Sequence, residues 1–295
     1  MPARPTDIVV ISSHVSHGCV GNRAIGFALE RLGFRVWLVP TILLPRHPGH
    51  GPVDAVKIPD AAFADHLAAL ADLPDIPSIG AVLSGYLASP AQADAVARFV
   101  GAVKAARPDA VYLCDPVIGD AGGLYVEAAI AAAIRDNLVP LADIITPNSF
   151  EAAWLAGQEY DPDNPSPDVR EIASHLGVKM TVVTSLPALM RGQIANALIE
   201  KDTVTIAEHR RIESTVKGTG DLFAAMFLGR LMAGRSARVA LQMASATLAD
   251  VVKATAPSGN GDLELVKAQE AIRNPRAQVA MRSLAATRAR TPQPL

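Results

Sequence analysis

The chain has 295 residues, of which 50% are hydrophobic, so it can bury a large core as one big α/β domain or as two small ones. Its formal net charge is −2, and no run of Lys or Arg could follow a nucleic-acid backbone, which argues against nucleic acid as a partner. The N-terminal sequence MPARPTDIVVISSH has no long apolar stretch after its charges, so we expect neither a signal peptide nor a membrane anchor, and a cytoplasmic location.

Short β-rich runs alternate with helical patterns along the first two thirds of the chain. The runs that resemble buried strands are residues 7–12, 35–40, 80–85, 110–115, 143–147 and 180–185. The amphipathic segments between them include residues 21–33, 90–106 and 166–177. Apolar strands alternating with helices predict an α/β fold with a doubly wound, mostly parallel sheet flanked by helices on both faces.

The remaining third differs in its pattern. Residues 194–200 and 204–210 follow each other across Lys201 and Asp202, which predicts an antiparallel hairpin at the sheet edge. Three helices are expected next, at residues 219–233, 236–255 and 262–272. No repeat or long linker occurs, so we predict a single domain over 1–295, with a core of about 7–273 and a frayed tail at about 285–295.

Polar residues follow several of the predicted strands. They are Ser13 after the first strand, Tyr86 after the third, Asp115 and Asp120 after the fourth, Asn148 and Glu151 after the fifth, and Thr184 at the end of the sixth. Because ligands collect outside the carboxyl ends of the strands in an open parallel sheet, this accumulation predicts a binding site at that edge.

The segment TPNSFEAAWL permits two interpretations. Asn148 and Glu151 are spaced as a capping box, in which an Asn cap and a Glu bond each other's backbone at a helix start. Alternatively they face a hydrated Mg²⁺, which keeps most of its waters and needs only one or two carboxylates. Asp115, Asp120 and Glu151 at neighbouring strand ends would repel one another without a cation, which favours the metal.

The segment VKGTGDLFAAMFLGRLM, residues 216–232, places small residues and an acid before an apolar helical run. The simpler interpretation is a turn and a capped helix, with Asp221 favoured by the helix dipole. The alternative is an anion site, in which small residues let backbone N–H groups at a helix start surround a phosphate.

Five segments together resemble pyridoxal kinase, a member of the ribokinase-like superfamily. They are SSHVSHGCVGNRA, LSGY, CDPVIGDAGGLYV, DIITPNSFEAAWL and KGTGDLFAAMFLG, in order, from about residue 8 to about residue 255. The resemblance implies ATP-dependent phosphorylation of the 5′-hydroxymethyl group of pyridoxal, with pyridoxine or pyridoxamine as further candidate acceptors. It also implies Mg²⁺, a homodimer, and no membrane partner, and it leaves a monovalent-cation requirement open.

Roles for the phosphate-binding residues follow from the resemblance. Gly218, Thr219 and Gly220 would form an anion hole for the transferring phosphoryl group, and Asp221 would be the base for the acceptor hydroxyl. An acid at a helix N-terminus beside a phosphate suits this chemistry, because phosphoryl transfer depends on positioning and charge neutralisation. Lys217 would contact a phosphate, or is a solvated loop lysine.

The same resemblance assigns the residues around the nucleotide. Asp115 and Glu151 would hold Mg²⁺ through water, and Asn148 would support the metal and the phosphates. Asp120 would lie near the ATP phosphates. Thr184 would bond a nucleotide phosphate, with a plain strand-end cap as its alternative.

Residues expected around the vitamin ring are Ser13, Tyr86 and His47. Tyr86 could instead be an amphipathic strand-end residue, and His47 an ordinary loop histidine. The loop LLPRHPGH departs from the family, since Pro48 replaces a threonine and His50 replaces a tyrosine. Proline removes an N–H and restricts φ, so we expect ring recognition to depend on His50 as well as on the three family positions.

Two other functions remain open. A hydroxymethylpyrimidine or sugar kinase would have the same fold, although SHV and CDPVIGD argue against it. A non-catalytic vitamer-binding protein would have no need of a base at Asp221.

Overall fold

A sheet with helices on both faces organises the described chain, which in this computed structural model comprises residues 6–162, 168–201, 203–259 and 261–284. The strands are β1 (Asp7–Val15), β2 (Arg35–Leu44), β3 (Val56–Lys57), β4 (Ile79–Ser84), β5 (Val111–Cys114), β6 (Gly119–Asp120), β7 (Gly123–Leu124), β8 (Ile144–Ile145), β9 (Met180–Pro187), β10 (Gln193–Glu200), β11 (Thr203–Arg210) and β12 (Ala280–Leu284). The helices are α1 (Asn22–Arg31), α2 (Asp60–Ala71), α3 (Pro90–Ala106), α4 (Ala128–Ala133), α5 (Ser149–Leu155), α6 (Val169–Leu176), α7 (Thr219–Met232), α8 (Ala237–Thr255) and α9 (Gln269–Arg273). Among the helices of these residues, none is both long enough and apolar enough to span a bilayer.

The large sheet has the order β12-β11-β10-β9-β8-β5-β4-β1-β2-β3 within the described residues. The strands from β2 through β1, β4, β5 and β8 to β9 pair in parallel. The strands β10, β11 and β12 extend it antiparallel on one side, and β3 pairs antiparallel with β2 on the other. The predicted fold class is therefore confirmed, including the antiparallel hairpin beyond the parallel strands.

Burial on both faces explains the continuous apolar runs of the central strands. In β1, Ile8 and Val10 pack with α1, α7 and α8, whereas Val9 and Ile11 pack with α2 and α3. Because side chains alternate along a strand, a strand that is covered on both sides must be apolar at every position. The two helical layers leave only the strand ends accessible to ligands.

The prediction for the third C-terminal helix was wrong in extent. It was expected over residues 262–272, but α9 begins only at Gln269. Asp262 instead forms a parallel bridge with Lys217, and Leu263 and Leu265 are buried in the core. Local apolar spacing could not reveal this pairing, because its partner lies far away in the sequence.

Several elements had no counterpart among the sequence predictions, including β3, α2, the β6–β7 hairpin, α4 and β12. Helix α2 lies between β3 and β4, and β12 adds an antiparallel strand beside β11. The tail predicted at about 285–295 lies outside the described residues, and the extent of the single domain remains a prediction.

Candidate active site

Asp221 lies in the first turn of α7 and contacts the loop that follows β1. Its Oδ2 accepts a hydrogen bond of 2.9 Å from the backbone N–H of Gly21. Gly21 has φ +52, and a Cβ there would lie 2.3 Å from the carbonyl oxygen of Ser13. Only glycine permits this approach, which brings Ser13 and Asp221 to the same end of the sheet.

The electrostatics of Asp221 suit a proton acceptor. Burial raises the pKa of this carboxyl above its usual range, and the Gly21 N–H opposes that rise. A buried carboxylate with a raised pKa has a greater affinity for a proton than an exposed one. Asp221 can therefore hold a proton taken from an alcohol beside it.

The turn before α7 is shaped by close contact with the loop after β1. Gly218 has φ +86, and a Cβ there would lie 2.4 Å from the carbonyl oxygen of Cys19. At Gly220, by contrast, an added Cβ would meet nothing within 4 Å. The N–H groups of a first helical turn have no acceptor inside their own helix, so open space beside them can hold an anion. The phosphoryl site at Gly218, Thr219 and Gly220 stays a prediction, for which the open space at Gly220 leaves room.

Asp115 lies immediately after β5 and is buried. Its Oδ1 accepts a 2.7 Å hydrogen bond from the hydroxyl of Thr146. Burial raises the pKa of Asp115 to about 7, and the charge of Asp221 contributes to that rise. Desolvation is the larger cause of this rise, and repulsion between the two carboxylates adds to it.

Glu151 and Asn148 form the capping box that their spacing permits. The Asn148 side chain accepts from the Glu151 N–H, and Glu151 Oε2 accepts from the Asn148 N–H, each at 2.9 Å. Glu151 Oε1 also accepts from the N–H groups of Ile118 and Gly119, at 3.0 and 3.3 Å. Burial and, secondarily, the charge of Asp115 raise the pKa of Glu151 to about 8. Glu151 therefore holds the backbone of Ile118, Gly119 and Asn148 in place, in addition to its predicted role in metal binding.

The hairpin β6–β7 carries Asp120 and is fastened to the start of α5. The side-chain amide of Asn148 donates to the carbonyl oxygen of Gly119 at 2.8 Å. Asp120 itself is exposed, and its Oδ1 accepts from the Gly122 N–H within the hairpin. Thr184 forms a parallel bridge with Asn148, so Thr184, Asn148 and the hairpin come together as predicted.

Within the described ranges, no three His, Cys, Asp or Glu side chains converge as a set that could hold a metal ion. Mg²⁺ needs few protein ligands when waters and phosphates complete its octahedron. Buried Asp115, with its raised pKa and the nearby charge of Asp221, is the side chain whose chemistry best fits that requirement.

The loop after β2 packs against residues 217–220, the turn before α7. We call this turn the phosphate turn, because it contains the predicted phosphoryl site. His47 caps a 3₁₀ turn, Pro48–His50, by accepting at Nδ1 from the Gly49 N–H, 2.9 Å away. The Lys217 side chain approaches the same turn, because its Cε is 3.1 Å from where a Cβ at Gly49 would lie. Burial, followed by the charge of Lys217, lowers the pKa of His47.

Tyr86 follows β4 and is partly buried beside the β1 end. Its backbone N–H donates to the Ser12 hydroxyl at 3.2 Å, and its carbonyl accepts from the Thr41 hydroxyl at 2.8 Å. Burial raises the pKa of the phenol, with Glu127 contributing. Tyr86 and Ser13 therefore lie at adjacent strand ends, as the sequence predicted, although their contacts with a ring remain predictions.

Two neighbouring cavities, which the sequence did not predict, lie beside the phosphate turn. The larger, about 430 Å³, is lined by Glu213–Val216, Thr255, Ala256, Gly259 and Gly261. The smaller, about 200 Å³, shares Ser214 and Val216 with it and includes Ser185, His209 and Thr219 among its lining residues. Residues 211–216 contain no recognisable chemical motif, so no signal in the sequence could have identified them.

The chain is similar to known kinases along most of its length. Residues 50–265 match the model of the phosphomethylpyrimidine kinase family. The pyridoxal kinase PdxY of Corynebacterium diphtheriae is 33% identical over 282 residues, which cover 95% of this chain and 100% of that protein. The pyridoxine/pyridoxal/pyridoxamine kinase of Bordetella bronchiseptica is 34% identical over 88% of this chain and 93% of that protein. The pyridoxal kinase of Leishmania donovani, solved with ADP and pyridoxamine, has a TM-score of 0.87 at 27% identity and covers 95% of this chain and 99% of its own.

Proposed function

The chain belongs to the pyridoxal kinase family, with its ribokinase-like fold, and we propose that it transfers the γ-phosphoryl group of ATP to the 5′-hydroxymethyl group of pyridoxal. Pyridoxine and pyridoxamine are further acceptors under this proposal, as the name of the Bordetella relative suggests. The observation that carries the proposal is the contact of Asp221, in the first turn of α7, with Gly21 of the loop after β1, whose backbone packs against Ser13 at the end of β1.

Asp221 would act as the base in this reaction. It would orient the acceptor hydroxyl and take its proton as the O–P bond forms. The backbone N–H groups at Gly218, Thr219 and Gly220 would stabilise the negative charge of the transferring group. The open space at Gly220 supports this use, because no side chain occupies it.

Mg²⁺ fits the acidic side of the site. Asp115 and Glu151 would hold it, Asp115 foremost, since Glu151 already accepts three backbone hydrogen bonds. When bound, the ion would neutralise negative charge on the phosphates. The raised pKa values of both carboxyls support this assignment, because a nearby cation would stabilise their charged forms.

The nucleotide would extend from the phosphate turn into the two cavities. A volume of about 430 Å³ is within the range of small-molecule pockets and could receive the base and ribose of ATP. Thr184, Asn148, Asp120 and Lys217 would contact the phosphates. The bridge between Thr184 and Asn148 supports a shared role for these two residues.

The acceptor ring would lie between the ends of β1 and β4. Ser13 and Tyr86 would bond its polar groups, and His47 and His50 would cover it from the loop after β2. The lowered pKa of His47 favours its neutral form, and because Nδ1 accepts from the Gly49 N–H, its Nε2–H would donate a hydrogen bond to the ring.

An acceptor panel tests the proposal. The purified protein, with MgATP, would receive pyridoxal, pyridoxine, pyridoxamine, hydroxymethylpyrimidine or ribose, and ADP and the phosphorylated product would be measured. Pyridoxal 5′-phosphate formation is expected. Preference for hydroxymethylpyrimidine or ribose would support the rival kinase, and vitamer binding without ADP formation would support a non-catalytic protein.

The homodimer, the monovalent-cation requirement and the cytoplasmic location remain predictions from the resemblance and the N-terminal sequence. Light scattering after size exclusion would determine the assembly. Rates in Na⁺ and K⁺ buffers would determine the cation dependence.

A further inference from the structure

Asp262 lies in the extended segment before α9, where the loop after β1 and the loop after β2 both approach it. Its Oδ1 is 3.0 Å from Nε2 of His50, in the loop after β2, a distance at which the imidazole N–H donates to the carboxylate. Its Oδ2 is 4.0 Å from Nδ1 of His17, in the loop after β1. The Asp262 side chain is only 13% exposed, so water screens the His50 contact less than it screens a surface ion pair.

The backbone beside Asp262 is joined to the phosphate turn. The N–H of Lys217 donates to the carbonyl oxygen of Gly261 at 2.9 Å, and Lys217 and Asp262 form a parallel bridge. Gly261 has φ +72, and a Cβ there would lie 2.8 Å from Cε1 of His50. The His50 ring therefore packs directly on the Gly261 backbone while it bonds the next residue.

These contacts connect the ring side of the site with its phosphate side. His50, in the loop after β2, bonds Asp262, and Asp262 pairs with Lys217. Lys217 directly precedes Gly218, so the loop is connected to the phosphate turn. A loop held in this way loses less conformational entropy when it closes over a substrate.

We infer that Asp262 is a positioning residue for the acceptor, which acts through His50 to hold the loop of residues 46–51 against the phosphate turn. This inference rests on the proposed function for its kinetic test. It does not require Asp262 to touch either substrate. It assigns His50 a contact within the protein in addition to the contact with the ring expected from the sequence.

A double-mutant cycle tests the inference. The variants are Asp262→Ala, His50→Ala and the double variant, with Asp54→Asn as a control that removes one exposed acid from the same region. In Asp262→Ala we expect the KM for pyridoxal to rise by about 3- to 10-fold, the factor that corresponds to one hydrogen bond of ordinary strength. The KM for ATP and the melting temperature should stay close to those of the wild type, and Asp54→Asn should match it throughout.

Coupling between the two residues distinguishes positioning from general destabilisation. If Asp262 acts through His50, its removal should have little further effect in the His50→Ala background. Asp262→Asn should recover most of the loss, because an amide oxygen still accepts from the imidazole N–H. Additive effects, or equal rises in both KM values, would overturn the inference.

Hydrogen exchange without substrate provides a readout independent of the reaction. The N–H groups of His50 and Gly51 donate within the 3₁₀ turn, to His47 and Pro48. In Asp262→Ala these amides should exchange faster than in the wild type, while those of α7 should be unchanged. Unchanged exchange at His50 and Gly51 would overturn the inference, whereas a wild-type protein that phosphorylates no vitamer would contradict only the proposed function.

Discussion

At the scale of single residues, Asp221 combines a helix-start position with a hydrogen bond from a distant loop. The Gly21 N–H bonds Oδ2 of Asp221, and this contact also sets the orientation of the other carboxylate oxygen, Oδ1. Burial raises the pKa of Asp221, whereas the hydrogen bond from the Gly21 N–H lowers it and so limits the rise. This balance suits a base that must be charged before the reaction and protonated during it.

Replacement of Asp221 by Asn preserves volume and removes the base. We expect turnover to fall by roughly 10² to 10⁴, the usual contribution of general-base catalysis, with little change in ATP binding. Steady-state kinetics and nucleotide titration would measure both quantities. Activity near that of the wild type would show that Asp221 serves only to hold the Gly21 backbone against the start of α7.

Charge replacement at the acidic pair tests the metal assignment. Asp115→Asn and Glu151→Gln each remove a negative charge, so both should raise the Mg²⁺ concentration needed for half-maximal rate. Glu151→Gln should also lower the melting temperature, because it weakens the acceptor for the Ile118 and Gly119 N–H groups. If neither variant shifts the Mg²⁺ titration, the two carboxylates are structural.

At the scale of elements, the turn into α7 uses two glycines for different physical reasons. Gly218 has a left-handed backbone pressed against the Cys19 carbonyl, so its glycine serves packing. Gly220 has open space around it, so its glycine is not needed for packing within the chain.

Alanine at Gly218 should therefore affect stability, whereas alanine at Gly220 should affect turnover. Gly218→Ala should lower the melting temperature, because its Cβ would overlap the Cys19 carbonyl oxygen. Gly220→Ala should leave stability unchanged but lower the turnover, since the methyl group enters the space assigned to phosphate. Gly101→Ala, at an open site within α3, is the control for glycine replacement in a helix. Full activity in Gly220→Ala would contradict the phosphate assignment.

At the scale of the whole molecule, the buried carboxylates make stability depend on pH. The folded pKa values, about 7 for Asp115 and about 8 for Glu151, lie above the ordinary values of these groups. The unfolded chain therefore releases these protons at lower pH than the folded protein. The stability that the protonated groups contribute is complete below about pH 4 and is lost as the pH rises through about 7 to 8.

Melting temperatures in EDTA at pH 6 and pH 8 would test this dependence. The wild type should melt at a lower temperature at pH 8. In Asp115→Asn the difference between the two pH values should be smaller, because the amide does not titrate, and in Asp72→Asn, at an exposed position, it should match the wild type. An equal difference in all three proteins would mean that Asp115 titrates outside this range.

The sequence alone determined the sheet class and predicted which polar residues lie at the strand ends. Strands that are buried on both faces must be apolar throughout, and this local constraint is visible in runs such as residues 7–12. Glycines and acids at strand ends were equally visible, because turns and phosphate sites need particular residue types at fixed spacing. The capping box of Asn148 and Glu151 could likewise be recognised in the sequence, since both residues lie within one helical turn.

Only the tertiary structure decided which distant segments meet. The bond from Gly21 to Asp221, the bridge from Lys217 to Asp262 and the contact of His50 with Asp262 each join residues far apart in sequence. Such contacts leave no local pattern, because they depend on how the sheet and helices bring loops together. For the same reason the helix predicted from 262 begins only at Gln269, where the long-range pairing of Asp262 prevails over local apolar spacing.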